Sequence, residues 1–291
     1  MARSTIAAGP YVDRRRRAQD LRDRYLFAHE VLDFYGAVLV VQEEAYDAAG
    51  SAMPAAQDLV SYVGEMVMPS VVNASIASGP RKLREAVADR LTRADPREII
   101  AAWIGGEPLS LADAYLARAS VGPVLEALGA EVASSCVGRR DARHCPACGG
   151  PPQLSYFAVA GEDLAAGGRF LVCARCHASW GYPRMTCPGC GEASSSKLPI
   201  FNEEGNASGE RGSVVRGLEG RLGADRAPDH RAVFPHIRIE ACESCRRYLL
   251  NVDLLADPLA VPMVDEVAAL PLDLYARDRG FTKIIPNLMG F

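Results

Sequence analysis

The sequence predicts a multidomain α+β protein: an all-helical N-terminal half followed by two small modules, each built around four cysteines and a metal ion. Three observations carry this. Apolar residues recur at helical spacing through the first half and at alternating spacing after Cys148. Eight of the nine cysteines fall into four Cys-x-x-Cys pairs, Cys145/Cys148, Cys173/Cys176, Cys187/Cys190 and Cys242/Cys245. Eight thiolates suffice for two tetrahedral sites. A chain of 291 residues is also long enough for more than one core.

The helical half reads in order. Leu21, Tyr25, Ala28, Leu32, Tyr35 and Leu39 recur at alternating steps of four and three, the stripe of one long amphipathic helix. Arg14 to Arg17 fit its solvated start. A second helix occupies 55–79 and stops at Gly79-Pro80; a third covers 81–94. Asp95, Pro96 and Glu98 form a cap, a first-turn proline and a reciprocating glutamate that open a fourth. Ser110 and Asp113 repeat that pattern, and Gly122-Pro123 separates a closing helix, giving five to six in all. This half shows no nucleophile constellation, phosphate loop or metal motif. Tyr25, Tyr35, Tyr62, Met66 and Met68 read as core, His29 as packed or surface, and Cys136 as a small buried side chain.

In the second half, residues 154–160 read as a strand, 161–168 as a turn and 169–172 as the returning strand that brings Cys173 beside Cys145. The construction repeats with strands at 197–201 and 236–241, so Cys187 should meet Cys242. The connector 177–186 separates two sites more naturally than it closes one. Sequential sets, Cys145/Cys148/Cys173/Cys176 and Cys187/Cys190/Cys242/Cys245, are therefore favoured, with an interleaved cross-brace as the alternative. His144 and His177 adjoin the pairs without being needed as ligands. Trp180 and Tyr182 should pack across the sheets. Residues 202–232, rich in glycine and charge, read as a long loop. The expected domains are 1–140, 141–185, 186–252 and a helical tail, 253–291, in which Pro271 starts or kinks a helix.

The net charge of −4 gives no global attraction to nucleic acid or to an anionic membrane. After the arginines, Asp23, His29, Glu30 and Asp33 interrupt any export signal, and Ala37–Val41 is far too short to span a bilayer, so the expected location is cytoplasmic without membrane insertion. In that reducing compartment, metal ligation explains paired thiols better than disulfides.

The order Cys-Pro-Ala-Cys-Gly-Gly, Cys-Ala-Arg-Cys-His-Ala-Ser-Trp, Cys-Pro-Gly-Cys-Gly-Glu, Glu-Ala-Cys-Glu-Ser-Cys-Arg-Arg-Tyr-Leu, then a tail from Val264 to Phe291 containing Leu-Asp-Leu and Asn287, resembles the formate dehydrogenase accessory protein family, FdhE. The resemblance is detailed over the cysteine half and tail, and one of layout over the helices. It implies two rubredoxin-like modules whose metal ligands are the eight paired cysteines. It further implies a maturation factor rather than an enzyme, binding the catalytic subunit of a respiratory formate dehydrogenase, with two iron ions per chain. Four thiolates leave no open coordination position, so structural support or, with iron, one-electron chemistry remains. Zinc suits the same ligands. Two other classes stay open beside this one: a zinc-ribbon nucleic-acid binder, for which the basic excess at 139–191 is slight, and a thiol-disulfide oxidoreductase with metal-free pairs. A homodimer is left open.

Overall fold

The structure, a computed structural model, describes residues 9–93, 95–158, 167–203, 213–214 and 232–291. Most of the expected turn at 161–168 and most of the expected loop at 202–232 lie outside the described residues. The chain divides into two compact units, 1–137 and 138–291.

The first unit is helical. Its opening stripe belongs to two helices rather than one: α1, Pro10–Arg24, and α2, His29–Ala52, parted by an extended Tyr25 and a short 3-10 turn. Tyr11 lies against Tyr46, Arg15 pairs with Glu43, and Arg22 pairs with Asp33. The pair is thus an antiparallel hairpin, and the stripe continues across the break because both helices face one core. The arginine run is also less solvated than its composition suggests. Helical periodicity turns Arg14 inward with Tyr11, Ala18 and Leu21, where its guanidinium takes both oxygens of Glu126, at 2.6 and 2.8 Å.

Residues 56–78 form one helical run: α3, Leu59–Tyr62, a π turn at Val63–Val67, and α4, Met68–Ser78. Pro69 has no N–H for the carbonyl four residues back, and the wider turn accommodates its ring. Met68 is buried, whereas Met66, expected in the core, is exposed on the turn. By length and mean hydropathy of 1.2 this run is long and apolar enough to cross a membrane, yet Leu59, Val63, Val67, Val71 and Val72 are buried within the unit. It reads as a core helix. Next come α5, Arg81–Leu91, and α6, Pro96–Gly105, capped by Asp95, which accepts the Arg97 N–H at 2.8 Å. Last is α7, Leu111–Ala133, capped by Ser110. It runs through Gly122-Pro123, where a break was expected, and departs from helical geometry at Gly129 instead, φ 74°.

The second unit is a sheet backed by helices. Strands β1 (Pro152–Ala158), β2 (Gly168–Cys173), β3 (Ser179–Gly181), β4 (Ile200–Asn202), β5 (Ser213–Val214), β6 (Ile237–Cys242) and β7 (Arg247–Asp253) lie in the order β3-β2-β1-β7-β6-β4-β5. The expected hairpin β1/β2 pairs Pro152 with Cys173, and β6 runs antiparallel to both β4 and β7. Parallel pairing of β1 with β7, Ser155 opposite Asn251, joins the two cysteine-bearing parts into one sheet. That pairing covers two edges that isolated hairpins would leave open.

The tail forms α8 (Pro262–Ala268), α9 (Leu270–Asp278) and β8 (Thr282–Lys283), which pairs with β7. Pro271 sits in the first turn of α9, where its missing N–H costs nothing. A charged network anchors the tail. Lys283 Nζ lies 2.7 Å from Glu266 and 3.0 Å from Asp273, all three under 2% exposed. Gln153 donates to Glu266 at 2.5 Å and Tyr248 to Asp273 at 2.8 Å.

Candidate metal centres

The first, second and fourth Cys-x-x-Cys turns lie close to strand ends and the third, Cys187/Cys190, lies in the segment between β3 and β4; the fold brings the turns together two by two. In the first centre Cys145 and Cys148 precede β1, while Cys173 ends β2 and Cys176 follows it. Cys145 Sγ lies 3.6 Å from Cys176 Sγ, and Cys148 Sγ lies 3.3 Å from Cys173 Sγ. In the second, Cys187 and Cys190 precede β4 while Cys242 and Cys245 link β6 to β7. Cys187 and Cys245 are 3.8 Å apart, Cys190 and Cys242 3.7 Å. Within each group all four sulfurs lie within 4.8 Å of one another. The grouping is the sequential one; the interleaved alternative is not formed.

These distances test the fit of an ion. A tetrahedron with metal–sulfur bonds of about 2.3 Å has sulfur–sulfur edges of about 3.8 Å. The separations of 3.3 to 3.8 Å match that scale, so either group can hold a tetrahedral ion.

Local backbone geometry suits thiolates. The N–H of Gly150 points at Cys148 Sγ, that of Arg175 at Cys173 Sγ and that of Gly189 at Cys187 Sγ, each at 3.3 Å. Such bonds spread the negative charge of a metal-bound sulfur. The first turn is closed by Cys145 N–H to Gly150 O, 2.9 Å, and the third by Cys187 N–H to Glu192 O, 2.8 Å. Glycine is required here for two reasons: Gly149 has φ 70°, and a Cβ on it would sit 2.7 Å from the Gly138 backbone. A Cβ on Gly150 would stand 2.9 Å from Cys173 Sγ.

Electrostatics point the same way. Burial pushes the Cys173 and Cys187 thiols well up, and Cys245 to about 11, whereas hydrogen bonds from Cys148 and the other two thiols of its group bring Cys145 well down, and Cys148 and Cys242 are lowered too. Four thiolates this close repel one another unless a cation lies between them. The groups differ in exposure: all four sulfur residues of the first are buried, whereas Cys190 is exposed and Cys245 half-buried in the second.

The neighbouring residues take the roles expected or reveal new ones. His144 bonds Asp141 at 2.7 Å and is outside the sulfur group; that bond, with the Arg143 N–H, holds the Asp141 carboxyl down at about 2. Cys136 is buried outside both groups. Tyr182 packs with Leu171 and Leu249, and Trp180 against them. Sequence reasoning missed three residues. Arg175 holds the Cys148 carbonyl at 3.1 Å, Gly138 admits Gly149, and Ile284 Cδ1 lies 3.5 Å from where a Cβ on Gly189 would stand. Only the glycine pair after Cys148 was a usable signal; the others depend on chain segments far apart in sequence.

Comparison with known proteins agrees with this arrangement. Residues 144–184 match the model of the FdhE central domain and residues 223–289 that of the FdhE C-terminal domain. An FdhE homolog of Aquifex aeolicus is 32% identical over 148 residues, which are 51% of this chain and 42% of that protein. One of Pseudomonas aeruginosa is 31% identical over 145 residues, 50% and 38% of the two chains. The matched stretch thus spans about two fifths of these relatives' length. The crystal structure of the FdhE protein from Pseudomonas aeruginosa superposes with a TM-score of 0.58 at 22% identity, over 96% of this chain and 94% of that one, a likeness of fold. Through residues 144–184 and 223–289 this chain is similar to the central and C-terminal domains of FdhE.

Proposed function

We propose that this chain is a cytoplasmic accessory factor for a respiratory formate dehydrogenase, binding its catalytic subunit during maturation and catalysing no reaction itself. The two sulfur groups carry the reading. Each has the spacing of a closed tetrahedral site, with all four positions taken by protein, which suits structural support or electron transfer rather than hydrolysis. The eight paired cysteines are the ligands and one iron ion sits in each group, with zinc as the alternative ion for the same ligands. The cysteine half acts as two metal modules, 141–185 and 186–252, carried on one sheet and followed by the tail.

The test is purification without oxygen, then metal analysis and a visible spectrum. Thiolate-to-iron charge-transfer bands with two irons per chain are expected. In parallel, the purified chain should capture the catalytic subunit, and C145S and C187S should lose metal and capture together. A cell lacking the protein that still makes fully active, correctly exported formate dehydrogenase would overturn the proposal.

A further inference from the structure

We propose that a shallow cleft beside the second sulfur group binds an extended acidic peptide segment, whose apolar side chains lie against its wall and whose carboxylates meet Arg184 and Arg247. The cleft is shallow, enclosing only about 30 Å³, and lies wholly within the second unit. Pro188, Ile200, Ala241 and Ile284 give it an apolar wall, and the Cys187-Pro188 turn forms one side.

Charge in this wall is unbalanced. Arg169, Arg184 and Arg247 line it against one carboxylate, Glu240. Arg169 is only 4% exposed. It donates to Pro183 O and Thr186 O at 3.0 Å and to Glu240 at 2.5 Å, while its buried Nε meets no acceptor among the described residues. Glu240 is shared further, taking two bonds from Arg238 at 3.1 and 2.6 Å. Nothing of it is left for the other two. Arg184 holds the Gly167 carbonyl and stacks on Phe157. Neither Arg184 nor Arg247 forms an ion pair with a described residue.

Guanidinium groups over a low-dielectric apolar wall focus a positive potential, and arginine clusters recognise acidic motifs in this way. Nucleic acid fits poorly. Base stacking needs an accessible aromatic face; the aromatic lining residue, Tyr248, is buried with its hydroxyl held by Asp273. An acidic peptide with apolar side chains satisfies both the wall and the charge. That its source is the catalytic subunit rests on the function proposed above.

The experiment uses the full metal-loaded chain and labelled short peptides that alternate leucine with glutamate, or leucine with lysine. Fluorescence anisotropy should show binding of the glutamate peptide, weakening with salt, and binding of the lysine peptide weaker by about tenfold or more. R184E/R247E should weaken the glutamate peptide by about tenfold, and K82E in the helical unit should change it less than about twofold. Should the double variant lose its metal, R247E alone serves, with a loss of about threefold. Equal binding of both peptides, unchanged binding by the variants, or displacement by a single-stranded oligonucleotide at equal strength would overturn the inference. Purified catalytic subunit is then added as competitor. Displacement supports the site and its source; glutamate-peptide binding without displacement supports the site and removes the catalytic subunit as its source.

Discussion

Lys283→Met should destabilise the sheet unit by about 3–5 kcal/mol at neutral pH, the usual cost of removing one partner from a buried ion pair. Nζ is 2.7 Å from Glu266 and 3.0 Å from Asp273 with all three side chains under 2% exposed. At an effective dielectric of about 20 these contacts are worth about 6 and about 5.5 kcal/mol gross. The Glu266 contact is one of charge, since Oε1 lacks the alignment of a hydrogen bond. Much of the gross attraction offsets dehydration of the ammonium, and methionine removes both. What methionine leaves is two buried carboxylates with no cation.

The pH dependence has a definite sign. Burial first, opposed by Lys283 and reinforced by Asp273, raises Glu266 above the ordinary carboxylate range. The folded unit therefore holds its proton where the unfolded chain has released it. The associated stability is complete below the ordinary carboxylate pKa of about 4.3 and is lost as pH rises through the raised value. Without Lys283 the shift grows, so the variant should lose stability more steeply than the parent as pH rises above the ordinary carboxylate range. The assay is urea unfolding followed by Trp180 fluorescence in a Trp103→Phe background, which isolates the sheet unit from the helical one. Adding E266Q and D273N should recover most of the loss, because neutral partners need no cation. A loss below about 1 kcal/mol, or no recovery in the triple variant, would refute the reasoning.

Gly150→Ala should weaken metal binding at the first centre by about tenfold or more, measured by competition with a chromogenic chelator, because its Cβ would stand 2.9 Å from Cys173 Sγ and 3.2 Å from Cys148 Sγ. Chelator should strip the second centre first, as Cys190 is exposed whereas all four residues of the first are buried; simultaneous loss would count against it. Oxidant should modify Cys190 before any cysteine of the first centre, read by peptide mass mapping. Arg14→Met should cost the helical unit about 3–5 kcal/mol by leaving Glu126 without its bidentate partner, seen by Trp103 fluorescence in a Trp180→Phe background.

Residues close in sequence were legible without coordinates. The Cys-x-x-Cys turns, the Asp95 and Ser110 caps and the β1/β2 return are set by neighbours a few positions apart, and a strand that comes back antiparallel can deliver its cysteines to only one place. For that reason the sequence alone determined the helical and cysteine-bearing halves and favoured the sequential sets of sulfurs, while the folded strands decided between these and the interleaved alternative. Periodicity was less informative about continuity, because a hairpin of two helices facing one core keeps the stripe of a single helix. Hence Tyr25 was not seen as a break, nor Pro123 as a residue the helix could pass.

Tertiary structure decided what depends on distant partners. Whether Arg14 faces water or Glu126 is a matter of which helix lies opposite, and composition carries no such information. Likewise, β1 and β7 are nearly a hundred residues apart, and their parallel pairing follows from each having an edge to cover rather than from any motif. That pairing merges the two cysteine-bearing parts into one sheet, gathers Arg169, Arg184 and Arg247 around one cleft, and buries Lys283 between two carboxylates supplied by the tail helices. Charges that sequence could only count were placed by the fold where water is excluded, and there each one must find a partner.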